Sequence, residues 1–179
     1  MKGRVRWTVA GALVAGAAVA GTVAFAHGGG AIREALTGYQ EDPLVLSTSG
    51  SGEFRAHVRA EKQQISYKLS YKDLEGAVTQ AHIHLGGRSQ SGGIIVFLCT
   101  NVGGGPATPP QACPPAPATI TGTLRPGDVI GPAGQGIGPG EFGELVDAIR
   151  AGVTYANVHS DKYPGGEIRA QLEQDEDDD

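Results

Sequence analysis

The 179-residue chain is poor in charge, in aromatics and in sulfur: 18% of its residues are charged and 6% aromatic, with one Met, one Trp and two Cys. Each shortage closes off a class of function. Its 14 lysines and arginines form no basic patch interleaved with aromatics, so nucleic acid is not expected as a partner. There is no Cys-x-x-Cys pair, so a thiolate zinc site is not supported. No cysteine follows the N-terminal apolar stretch as a lipid attachment point, and Arg4 and Arg6 are not adjacent, so no plain twin-arginine signal is present. The serines cluster in turns, with no histidine beside a recognisable nucleophile elbow. No paired carboxylates stand ready for acid–base work. The glycines at 103–105 and 127–140 lack the strand-to-helix setting of a phosphate-binding loop. Nothing here points to turnover.

Glycine and proline are abundant instead, at 29 and 11 residues. That composition favours many turns and short strands over long helices. The length suits one domain with a proper core. Residues 1–26 read as an export signal. Lys2, Arg4 and Arg6 form the positive region, residues 7–20 are apolar and small, and Ala24-Phe25-Ala26 fits the small-x-small cleavage rule. The alternative is an uncleaved anchor, since about 20 apolar residues suffice to span a bilayer; membrane contact is expected only in that case. Export predicts a secreted or periplasmic location. Cys99 and Cys113 suit one disulfide there, worth about 3 kcal/mol for a loop of roughly 15 residues, with two free thiols as the alternative. Residues 27–35 read as a flexible segment. Cleavage after Ala26 would make His27 the new N-terminus, able to chelate copper through its amine and ring. Residues 173–179 read as a disordered acidic tail.

Between these lie alternating segments. In residues 53–60, Phe54, Ala56, Val58 and Ala60 face one way, and Glu53, Arg55, His57 and Arg59 the other. In residues 64–71, Ile65, Tyr67, Leu69 and Tyr71 point inward. The two segments predict an antiparallel pair with one wet face. Residues 94–98 are continuously apolar, as expected for a strand buried on both faces. Residues 141–151 predict the one helix: Phe142, Leu145, Val146 and Ile149 form its apolar stripe, and Gly152 is its natural C-terminal stop. In residues 167–172, Ile168, Ala170 and Leu172 face inward, while Glu167 and Arg169 are expected on the wet face as a surface pair worth only about 0.2–1 kcal/mol. About seven short strands and one helix predict an all-β fold, an antiparallel Greek-key-like β-sandwich of the immunoglobulin or superoxide-dismutase kind.

Two stretches carry chemistry. Alternation places Val78, Gln80, His82 and His84 on one face, and Ala81, Ile83 and Leu85 on the other. It also places Tyr155, Asn157 and His159 together on a later strand. If the two strands meet, His82, His84 and His159 converge as neutral ligands for copper or zinc. Tyr155, Asn157 and Asp161 are then candidate neighbours fixing the ring tautomers. The alternative is structural: buried imidazoles donating to backbone carbonyls and bracing a turn.

Several of these pieces resemble one family. Leu36-Thr37-Gly38-x-Gln40-Glu41-x-Pro43, Ala81-His82-Ile83-His84, and Ala151-Gly152-x-x-Tyr155-x-Asn157-Val158-His159 followed by Pro164-Gly165-Gly166-Glu167-Ile168-Arg169 are similar to the CHRD (chordin-type) domain over residues 36–172. The resemblance implies an extracytoplasmic β-domain, of the type that stands alone in exported microbial proteins, and no general activity. Ser160 stands where the family often has Thr. The Cys99–Cys113 loop looks like an insertion peculiar to a subset. His-x-His with a later His is also similar to the copper ligands of copper-zinc superoxide dismutases, which would imply a copper-dependent redox enzyme, but the His- and Asp-rich zinc loop of those enzymes is missing. The expected role is therefore binding: a metal-binding module, or a structural or adhesive module with an extracellular protein or matrix partner.

Overall fold

A computed structural model describes residues 30–103, 106 and 109–174. The expected export signal, His27 and the last five acidic residues lie outside the described residues. Among the described residues eight strands form: β1 (Ala31–Thr37), β2 (Ser51–Arg59), β3 (Gln64–Lys72), β4 (Val78–Leu85), β5 (Ile94–Thr100), β6 (Ala118–Leu124), β7 (Thr154–Ser160) and β8 (Ile168–Leu172). One α-helix, α1 (Phe142–Arg150), precedes β7. All pairings are antiparallel and join into one sheet in the order β5-β4-β7-β8-β1-β2-β3-β6. Where two sheets were expected, one strongly curled sheet makes a near-barrel.

The sheet is thinnest between β1 and β8, paired only at Thr37 and Arg169, with an isolated bridge from Ile32 to Gln174. Its two terminal strands, β5 and β6, are linked by a side chain. Gln111 Nε2 donates to Thr121 O of β6 at 3.0 Å and to Leu98 O of β5 at 3.4 Å. Its own carbonyl accepts from Thr100 N, and Tyr67 Oη donates to Leu98 O at 2.9 Å beside it. The Cys99–Cys113 disulfide fastens the same segment.

The inner face follows the alternation. Phe54, Val58, Ile65, Leu69, Tyr71, Ala81, Ile83, Val158, Ile168 and Leu172 share one core cluster, and Phe142, Leu145, Val146 and Ile149 of α1 pack into it. The helix ends as its sequence dictates: Gly152 adopts φ +65°, a conformation glycine enters without steric cost.

Three expectations need correction. Residues 31–35, expected to be flexible, form most of β1, because Ile32 and Leu36 alternate into the core opposite β2. At the other end Glu173 pairs with Arg88 and Gln174 bridges to Ile32, so these two residues, expected in a disordered tail, belong to the fold. Val78 does not share the face of His82: a register shift between Val78 and Gln80 turns it into the core.

Candidate metal centre

The outer face of β4, β7 and β8 ought to be wet in a simple antiparallel sheet. Here three loops cover it, and every residue of β7 and β8 is buried. Register sets His82 opposite Asn157 and His84 opposite Tyr155, with His159 two residues on along the same face. The three histidines are 1%, 8% and 9% exposed for His82, His84 and His159. One nitrogen of each ring lies within 4.8 Å of the other two.

The proton positions follow from the partners. His84 Nδ1 lies 3.0 Å from Gly92 O, and His159 Nδ1 lies 3.0 Å from Pro164 O. A carbonyl only accepts, so both Nδ1 atoms carry hydrogen and both Nε2 atoms carry lone pairs. His159 Nε2 must then accept the 3.1 Å bond from His82 Nδ1. Burial, with some repulsion from the neighbouring rings, lowers His82 to about 2 and His84 to about 4. Burial also lowers His159. All three rings are neutral at physiological pH, in the state that ligates a metal. His82 Nε2 and His84 Nε2 are buried with no hydrogen-bond partner. A tetrahedral ion with bonds of 2.0–2.1 Å needs donors about 3.3 Å apart; the 3.1 Å separation of His82 Nδ1 and His159 Nε2 meets that only when His82 carries its hydrogen on Nε2 instead, so an ion held by this pair would take the place of their hydrogen bond.

Tyr155, Asn157 and Asp161, expected to fix the ring tautomers, take other places: none of them is the hydrogen-bond partner of a histidine ring among the described residues. Asp161 is exposed and accepts from Ala77 N at 2.8 Å; the acceptors that orient the rings are the carbonyls of Gly92 and Pro164. Tyr155 lies flat on His84, with ring centres 4.8 Å apart and planes within 4°. Asn157 Nδ2 donates to Glu41 Oε2 at 3.1 Å. Phe97 of β5 meets His82 edge to face at 4.3 Å.

Sequence reasoning missed Arg169, Glu41, Glu167 and Gln171. Arg169 and Glu167 are not a surface pair: they are 2% and 0% exposed. Arg169 stacks 3.6 Å above the Tyr155 ring and donates through Nη2 to Gly87 O at 2.8 Å and Gln90 O at 3.1 Å. Because β4 and β8 flank β7, Tyr155 lies between His84 and Arg169. Glu167 Oε1 accepts from Thr48 Oγ1 and Glu75 N. Gln171 Nε2 donates to Gly86 O and Gly152 O. These residues staple the loops over the sheet. The signal lies in the Gln40-Glu41 and Gly166-Glu167-Ile168-Arg169 stretches, which carry the family resemblance but show no burial by period alone.

The loop glycines make the close cover possible. A Cβ at Gly92 would sit 1.6 Å from Leu85 O, and one at Gly86 would sit 2.6 Å from Gln90 O and 2.9 Å from Tyr155 Cε1.

A strongly curled β-domain with a buried polar outer face built from these motifs defines the class. The model of the CHRD domain matches residues 32–172, and the chain belongs to the CHRD-domain family. No curated protein and no solved structure matches the chain.

Proposed function

We propose that this protein is an exported CHRD-domain metal-binding module, holding copper or zinc through His82, His84 and His159. The observation that carries this reading is the set of three neutral imidazoles with neighbouring nitrogens, two of them buried without a partner. An all-nitrogen donor set suits zinc or copper rather than magnesium or calcium, which prefer oxygen. The Gly92 and Pro164 carbonyls play the part of outer partners that fix ring orientation around a metal. The Cys99–Cys113 disulfide accords with an oxidising, extracytoplasmic setting.

Titration of the purified chain with Zn(II) and Cu(II) by calorimetry tests the reading. Binding at micromolar dissociation constants or tighter is expected, with loss in His84→Ala and His159→Ala. At a free metal concentration 100 times the dissociation constant, the wild-type chain gains about 2.7 kcal/mol of stability. Absence of heat, with a melting temperature unmoved by metal or chelator, refutes it. A second reading, a protein-binding module, draws on one loop: Tyr39, Leu44 and Val45 are 70%, 74% and 69% exposed side by side. That reading stands alone if the metal titration is silent.

A further inference from the structure

Glu41 has no part in the metal reading, and its surroundings lack a hydrogen. It is 7% exposed and meets Asn157, whose Nδ2 donates to Glu41 Oε2 at 3.1 Å. Glu41 Oε1 and Asn157 Oδ1 are both buried and both without a donor. An ionised carboxylate has no hydrogen to offer, and an amide oxygen only accepts. Both oxygens are buried and the pair is tightly packed on the side of Gly166: a Cβ there would lie 2.6 Å from Asn157 Oδ1 and from Glu41 Oε2. No cation supplies the missing hydrogen. Arg169 directs its Nη2 to the carbonyls of Gly87 and Gln90, and Glu41 makes no ion pair among the described residues.

We propose that Glu41 is a neutral carboxylic acid in the folded protein, with its Oε1 proton shared with Asn157 Oδ1, and that this proton clasps the loop after β1 onto β7. Acid and amide then meet edge to edge through two hydrogen bonds, and both orphaned oxygens are satisfied. An unmet buried acceptor costs about 1–3 kcal/mol, so one proton relieves two penalties. Burial pushes the Glu41 carboxyl up to about 7; the Asn157 bond and the charge of Arg169 oppose the rise, while Glu167 and Asp42 add to it. The charged and titratable groups around the pair are Arg169 from β8 and Glu167 just before that strand, Asp42 from its own loop, and Arg88 across a cavity of about 180 Å³. Tyr155 of β7 also interacts with Glu41, and His82 of β4 stands opposite Asn157 in register. The clasped loop is the one that exposes Tyr39, Leu44 and Val45, so the proton sets how firmly that apolar tip is held.

Glu41→Gln tests the clasp, because glutamine keeps the shape and offers an N–H to Asn157 at every pH. Urea unfolding of the full chain, wild type and variant, is compared at pH 5 and pH 8.5. A carboxyl raised from 4.5 to about 7 makes the wild-type unfolding constant rise relative to the variant's by on the order of 100-fold over that interval. A difference between the two proteins that is the same at both pH values overturns the proposal, since an ionised Glu41 would behave so. If the variant does not fold, the carboxyl carbon shift of Glu41 in the wild-type chain is followed by NMR. A titration midpoint above about 5.5 supports the clasp, and one below it refutes the clasp.

Discussion

Replacing Arg169 with methionine separates two views of one residue. Read as an exposed partner of Glu167, its loss costs less than about 1 kcal/mol. Placed as the fold places it, the residue does far more. Its side chain is among the largest that are fully buried, and it makes two charge-bearing hydrogen bonds to the Gly87 and Gln90 carbonyls. Such bonds contribute about 1.5–3 kcal/mol each. The stack on Tyr155 adds about 0.5–2 kcal/mol. Methionine refills much of the volume but leaves both carbonyls without their donor, so the net loss expected for Arg169→Met is about 3–5 kcal/mol. Denaturant unfolding at pH 7 measures it as a shift in midpoint with an unchanged slope. The loop released is also the one whose Gly92 carbonyl orients His84, so metal affinity should fall with stability. A loss under 1 kcal/mol, with His84 still bound to Gly92, refutes the idea that Arg169 pins this loop.

Two further outcomes follow from the same geometry. Gly166→Ala combines a φ of +133°, which side chains rarely adopt, with contacts of 2.6 Å to Asn157 and Glu41; a loss of about 1–3 kcal/mol is expected in thermal or denaturant unfolding, and a neutral substitution would show the pair to be loosely packed. Acid should destabilise the metal-free chain through His84, whose folded value of about 4 lies below its ordinary 6.5. The contribution of the neutral ring is whole above pH 6.5 and is lost as pH falls through that value toward 4. Glu41 acts in the opposite sense in an overlapping range, so the check is a paired one: the stability lost between pH 7 and pH 4 should be smaller in His84→Phe than in wild type, and equal losses would refute it.

Much of this architecture was legible because alternation is local. Phe54, Val58, Ile65, Leu69 and the stripe of α1 revealed their inward faces directly, and Gly152 marked the helix end. The three histidines were legible for the same reason: His-x-His on one strand and Tyr-x-Asn-x-His on another each fix a face, and β4 and β7 happen to be neighbours. What alternation leaves open is whether a polar face is wet. Arg169 and Gln171 sit at outward positions of β8, and Glu167 just before it continues the same alternation, where period alone implies solvent. They are buried because loops from distant parts of the chain fold over them, and long-range cover leaves no periodic trace. The same holds for Glu41, whose turn-like setting conceals its contact with Asn157, 116 residues away. The register shift at Val78 was hidden too, since a bulge moves one side chain without altering the pattern on either side. The curl into a single sheet depends on which strands pair, and alternation does not encode pairing.

Gln111 has a bearing on how the molecule keeps to itself. The outermost strands of an open sheet carry unpaired amide and carbonyl groups, ready templates for a strand from another copy. Here those margins look toward each other, and a side-chain amide occupies the carbonyls of Leu98 and Thr121 on either side of the seam. A strand from a second molecule can dock at this seam only after the stretch next to Cys113 peels away, and the Cys99–Cys113 bridge holds that stretch in place. Reduction of the bridge therefore removes the guard against strand exchange between copies.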